Sequence, residues 1–143
     1  MSAAEKQYEQ VIAALRHRET ATPLSTAEER LLRNSYFGRA TALFAQDRWD
    51  DALEAYFSIA SRYAGSPEIL DAYLQIAACY DRLQRIRESR AALVQAKAQL
   101  GRIRGDERFL QVTNYSRLEW QLLLDRLTAA PPGEITPETA GLQ

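Results

Sequence analysis

Slid along itself by 37 residues, the chain matches its own apolar pattern. Tyr36 falls on Tyr73, Ala40 on Ala77, Leu43 on Tyr80, Ala52 on Ser89, Tyr56 on Leu93 and Ile59 on Ala96. Large residues meet large ones, and small residues mostly meet small ones. Within each copy the apolar period is 3.6 and never 2, which makes the chain all-α. Small residues flanked by aromatic or leucine knobs are what two antiparallel helices need where they cross closely, because the small positions admit the neighbouring backbone. The repeat therefore predicts two helical hairpins in series.

Helix boundaries follow from caps and breakers. Ser2 and Glu5 have capping-box spacing ahead of the stripe Tyr8, Val11, Ile12 and Leu15, predicting a first helix over about 3 to 18. "ETATPLST" is a connector, and Ser25 with Glu28, or Thr26 with Glu29, restarts a helix that runs to about Gln46. After "QDR", the stripe from Trp49 through Tyr56 to Tyr63 is a third helix ending at "AGS". Gly65 suits a left-handed helix end, Ser66 a cap and Pro67 a first helical position, so residues 67 to 83 form the next helix. Residues 86 to 100 follow, with Gly101 as terminator. "RFLQV" predicts one or two helical turns, and Ser116 with Glu119 opens a last helix. That helix buries Leu118 or Leu122 together with Trp120 or Leu123. From Thr128 onward, tandem prolines, Gly133 and Pro137 without apolar period predict a disordered tail.

At these positions the sequence resembles the tetratricopeptide repeat (TPR) family, whose hairpins carry large, small and large residues on the first helix and a small one early in the second. Tyr36, Arg39, Ala40, Leu43, Ala52, Tyr56 and Ile59 occupy those places in one copy; Tyr73, Ile76, Ala77, Tyr80, Ser89, Leu93 and Ala96 do so in the other. Arg39 stands where leucine is usual, Ser89 where alanine is usual and Gln84 where the turn glycine is usual. The longer turn "RYAGSP" is similar to repeats of bacterial cell-envelope proteins. The resemblance spans roughly residues 30 to 127. It implies antiparallel helical hairpins stacked as a short right-handed TPR-like solenoid with flanking capping helices: residues 1–24 as a flanking helix and connector, 25–104 as two hairpins, 105–127 as a C-terminal cap centred on Trp120, and 128–143 as the tail.

Chemistry is hard to assemble from this inventory. The single histidine, His17, sits between two arginines at a helix end, and metal or triad sites need several converging groups. Asp47, Asp50, Asp51 and Glu54 gather at a helix start, where the helix dipole favours acids. Cys79, the only cysteine, reads as a small core residue. No enzyme activity, cofactor or metal is expected. Eighteen basic and nineteen acidic side chains nearly cancel, which disfavours nucleic acid as a partner, and no apolar run could insert in a membrane. Charge is nevertheless uneven. Residues 46 to 71 carry six acids against two bases, and residues 82 to 108 carry eight bases against three acids. A complete chain would be cytoplasmic; a domain of a longer protein could be periplasmic or membrane-tethered.

The resemblance also places a concave groove on the first helix of each hairpin. Carried over by position, it comprises Asn34, Phe37, Thr41, Phe44 and Ala45 from one copy and Asp71, Leu74, Ala78, Asp81 and Arg82 from the other. Phe37, Phe44 and Leu74 would anchor a peptide or helix, with polar selection by Asn34, Asp71 and Arg82. Phe37 and Thr41 replace the lysine and asparagine with which chaperone-type repeats grip a C-terminal carboxylate, so that ligand is not expected. The expectation is a non-enzymatic protein-protein interaction scaffold; the alternative is a self-associating or capping domain of a longer bacterial TPR protein.

Overall fold

A computed structural model describes residues 1–129. Among these, every regular element is helical: α1 (Ala3–Glu19), α2 (Thr26–Ala45), α3 (Trp49–Arg62), α4 (Glu68–Arg82), α5 (Ile86–Arg102), α6 (Phe109–Val112) and α7 (Arg117–Ala129). Thr128 and Ala129 extend α7; the remainder of the tail reading, residues 130–143, lies outside the described residues. The chain divides into two compact units, Met1–Ala55 and Tyr56–Gln143, with the boundary inside α3.

In the first unit α1 packs on α2. Ser2 and Ser25 cap the two helices through complete capping boxes with Glu5 and Glu28, which settles the choice between Ser25 and Thr26. The close approach of α1 to α2 depends on Gly38, since a Cβ there would sit 2.5 Å from Tyr8 Cε1. Arg16 donates to the Tyr36 hydroxyl at 2.9 Å. The capping carboxylate of Glu5 has a second task. It is buried, and accepts from Gln46 Nε2 at 2.7 Å and from Arg48 at 3.0 and 3.1 Å, tying the start of α1 to the end of α2. The Gln46 amide first, then the Ser2 N–H and Arg48, hold this carboxyl below its usual value despite its burial.

In the second unit α5 packs against both α4 and α7. The α4–α5 crossing is made where small residues predicted it: Ala77 and Ser89 are buried, and the Ser89 hydroxyl donates to the Ala77 carbonyl at 3.0 Å. A serine in the alanine position is therefore satisfied rather than orphaned. Gly65 adopts φ +81° as expected. Ser66, however, does not cap α4. Its hydroxyl donates to Glu68 Oε1 at 2.7 Å, and Pro67 takes the cap position with no side-chain bond. Gly101 likewise does not stop α5, which continues to Arg102. Termination comes instead from Arg117, whose guanidinium donates to the carbonyls of Leu100, Ile103 and Gly105 and so satisfies the acceptors that a helix end leaves open. The cation also lies over the Phe109 ring. Trp120 is fully buried, donates to Thr113 Oγ1 at 3.0 Å and meets Tyr115 edge-on.

The two joints α2–α3 and α4–α5 share the same pair of closing hydrogen bonds at the 37-residue offset. Arg48 N–H bonds to Leu43 O and Asp47 N–H to Phe44 O; Arg85 N–H bonds to Tyr80 O and Gln84 N–H to Asp81 O. Each is a Schellman motif, with Asp47 (φ 59°) and Gln84 (φ 58°) in the left-handed position usually given to glycine. Arg48 then pairs with Asp51, and Arg85 with Glu88.

Candidate functional site

Burial divides the residues expected to line a groove. On α2, Asn34 and Thr41 are exposed, as is the neighbouring Ala45, and Phe37 is half-buried, while Phe44 is buried with its ring edge-on to Trp49 at 4.7 Å. On α4, Leu74 and Ala78 are fully enclosed and present no surface to a partner. Phe44 and Leu74 are thus core residues rather than anchors, because α4 is covered over most of its circumference: Ile69, Leu70, Ala72, Leu74, Ile76, Ala77, Ala78 and Cys79 are all buried. Asp71 and Asp81 are half-buried and Arg82 is exposed. What stays accessible in the first unit is a polar strip on α2, Asn34 and Thr41 with the Phe37 ring between them.

The carboxylates of α4 sit in unusual surroundings. Glu68 is buried, accepting from Ser66 and lying 3.7 Å from Arg108. Asp71, one turn on, is pushed up to about 7 by burial and by the nearby Glu68 charge. Gln75, a further turn along, is buried with its amide nitrogen unpartnered among the described residues. Asp81 is raised too, by burial, against the opposing pull of Arg82. Sequence reasoning passed over Glu68 and Gln75 because a polar residue on a helix gives no sign of being enclosed. Cys79 is fully buried and its thiol is pushed up to about 12. No group of three or more His, Cys, Asp or Glu among the described residues could hold a metal ion, and no described helix is long and apolar enough to cross a membrane.

The most conspicuous accessible apolar surface lies elsewhere, on the C-terminal helix. Trp120, Leu123, Leu124 and Leu127 are the buried face of α7, so neither Leu118 nor Leu122 is buried, contrary to the expectation that one of them would be. Leu118 and Leu122 are left outward, 67% and 61% exposed. Beside them an open cavity of about 420 Å³ is lined by Tyr115, Glu119, Leu122, Leu123 and Arg126. The signal was present in the sequence as a helix with more apolar positions than one buried face requires.

No family model matches the chain, and neither the curated proteins nor the solved structures contain a significant match.

Proposed function

We propose that the chain is a non-enzymatic interaction module built from TPR-like helical hairpins. The observation that carries this reading is the joint repeated at 37 residues, with the same hydrogen bonds, the same left-handed position and the same arginine-to-acid pairing in both copies. Tandem helical hairpins commonly serve as scaffolds that present helix faces to other proteins. Fold alone does not define function, so the reading rests equally on the accessible strip of α2. Asn34, Phe37 and Thr41 are spaced i, i+3 and i+7 along one helix face, the pattern that receives a peptide or a helix laid alongside. Two amide or hydroxyl groups flanking an aromatic ring would select an amphipathic partner segment.

The test leaves the core intact. The pair Asn34→Lys and Thr41→Glu alters exposed positions only, and far-UV circular dichroism verifies that the helices persist. Affinity capture from extract of the source organism with wild type and double variant, read by mass spectrometry, should return a protein that the wild type retains and the variant loses. Equal recovery by both would overturn the assignment of the α2 strip.

A further inference from the structure

From the outer face of α7 we infer a homotypic contact: two copies of the chain pair through antiparallel α7 helices, Leu118 and Leu122 forming the seam and Glu119 of each copy meeting Arg126 of the other. At 100° per residue, Leu118, Leu122, Arg126 and Glu119 fall within about a third of the helix circumference, on the side away from Trp120 and Leu124. Leu122 lies between the two charges. Glu119 is about 4.5 Å before it along the axis and Arg126 about 6 Å after it, from a rise of about 1.5 Å per residue. A two-fold axis beside Leu122 with the helices antiparallel therefore brings each Glu119 level with the other copy's Arg126 to within about 1.5 Å of axial offset. The same symmetry lays the aliphatic stem of Arg126 over Leu118, so that the charged rim also covers the apolar seam.

Two further observations favour a second copy as the occupant. Arg126 has no ion-pair partner among the described residues, whereas the other acid on the exposed side, Asp125, is already engaged by Lys97 at 3.0 Å and Gln121. Glu119 spends one oxygen on the Ser116 N–H at 3.0 Å, leaving the other to accept from outside. The face is thus self-complementary in charge, and its cavity beside Leu122 offers room for an apolar side chain. A single helix crossing buries less than a standard interface, which sets the association in the micromolar range or weaker.

The contact is independent of the α2 strip and is tested on the full chain by sedimentation equilibrium from about 10 to 500 µM at low salt, a window matched to weak association. Wild type should show a concentration-dependent dimer, and Leu118→Glu with Leu122→Glu should be monomeric while retaining its helical circular dichroism. Arg126→Glu should weaken association about tenfold or more by placing acid opposite acid. Glu119→Arg should do the same. A one-to-one mixture of the two single variants should recover the dimer, because both cross-pairs are then complementary. The inference is overturned if wild type stays monomeric throughout, whether residues 130–143 or another protein then occupies the face. It is also overturned if the leucine variant dimerises as well as wild type, or if the mixture fails to rescue.

Discussion

Asp71 shows how one enclosed carboxyl makes stability depend on pH. Its folded value of about 7 lies above the 3.8 of an ordinary aspartate. Between those values the native chain holds a proton that the unfolded chain has released, so this contribution to stability is complete below pH 3.8 and is lost as pH rises through 7. Asp71→Asn should therefore stabilise the protein at pH 8 by about 1–2 kcal/mol, a figure reduced for partial solvent access, and by almost nothing below pH 4. Urea titrations of both proteins at the two pH values check the difference. Glycines give a second contrast. Ala in place of Gly normally favours a helix by about 1 kcal/mol. At Gly101, penultimate in α5 and with nothing within 4 Å of a Cβ, part of that gain should appear; at Gly38, where it meets the Tyr8 ring, the change should instead destabilise by roughly 1–2 kcal/mol. Thermal melts of the two variants should shift in opposite directions.

Element boundaries were largely legible in the sequence because caps are local chemistry. Ser2, Ser25 and Ser116 each sit three residues before a glutamate, and each forms the bonds that the spacing implies. The errors have two sources: the Ser66 hydroxyl is claimed by the neighbouring Glu68 side chain instead of a backbone N–H, and the end of α5 is set by a distant group, Arg117, fifteen positions beyond Arg102. Of the residues expected in a groove, Asn34, Thr41 and Ala45 on α2 and Arg82 on α4 are exposed, whereas Phe44, Leu74 and Ala78 are buried. On α4 the apolar residues outside the predicted stripe, such as Leu74 and Ala78, are enclosed while its Tyr73 and Tyr80 are half-buried, and one-sided periodicity cannot announce a helix buried on most sides. The repeated joints suggest a direct gain. Gln84 and Asp47 bear side chains at φ 58° and 59°, where glycine suffers no steric penalty. Gln84→Gly should raise stability by about 0.5–1 kcal/mol, as read from its denaturant midpoint. Asp47→Gly should follow the same direction.

Within each unit, the packings among the described residues join helices that are neighbours or near-neighbours in sequence: α1 with α2, α4 with α5 and α5 with α7. Local topology of this kind favours fast folding, within about a millisecond to tens of milliseconds. The two tryptophans, Trp49 and Trp120, belong to different units and allow each to be watched alone. Because the unit boundary falls inside the uninterrupted helix α3, the fluorescence transition of each single-tryptophan variant, Trp49→Phe or Trp120→Phe, should coincide in urea with the far-UV circular dichroism transition of that same variant, helix formation being cooperative along its length. Separate midpoints would show that α3 melts at the boundary. The near-neutral charge balance, plain from composition, conceals how many charges are already engaged, as with Arg85 and Glu88 or Arg117 and Asp106.

Cys79 gives this chain a built-in stopwatch. The thiol is the only one present, lies in the last turn of α4, and is both enclosed and held in its unreactive protonated form. An alkylating reagent can reach it only in the moments when α4 lifts from its surroundings, so the modification rate counts those openings. With reagent in large excess the rate ceases to depend on reagent and becomes the opening rate itself. A partner that clamps the helices would slow it, and a mutation that loosens them would speed it, each visible as a change in the timing of a single mass shift.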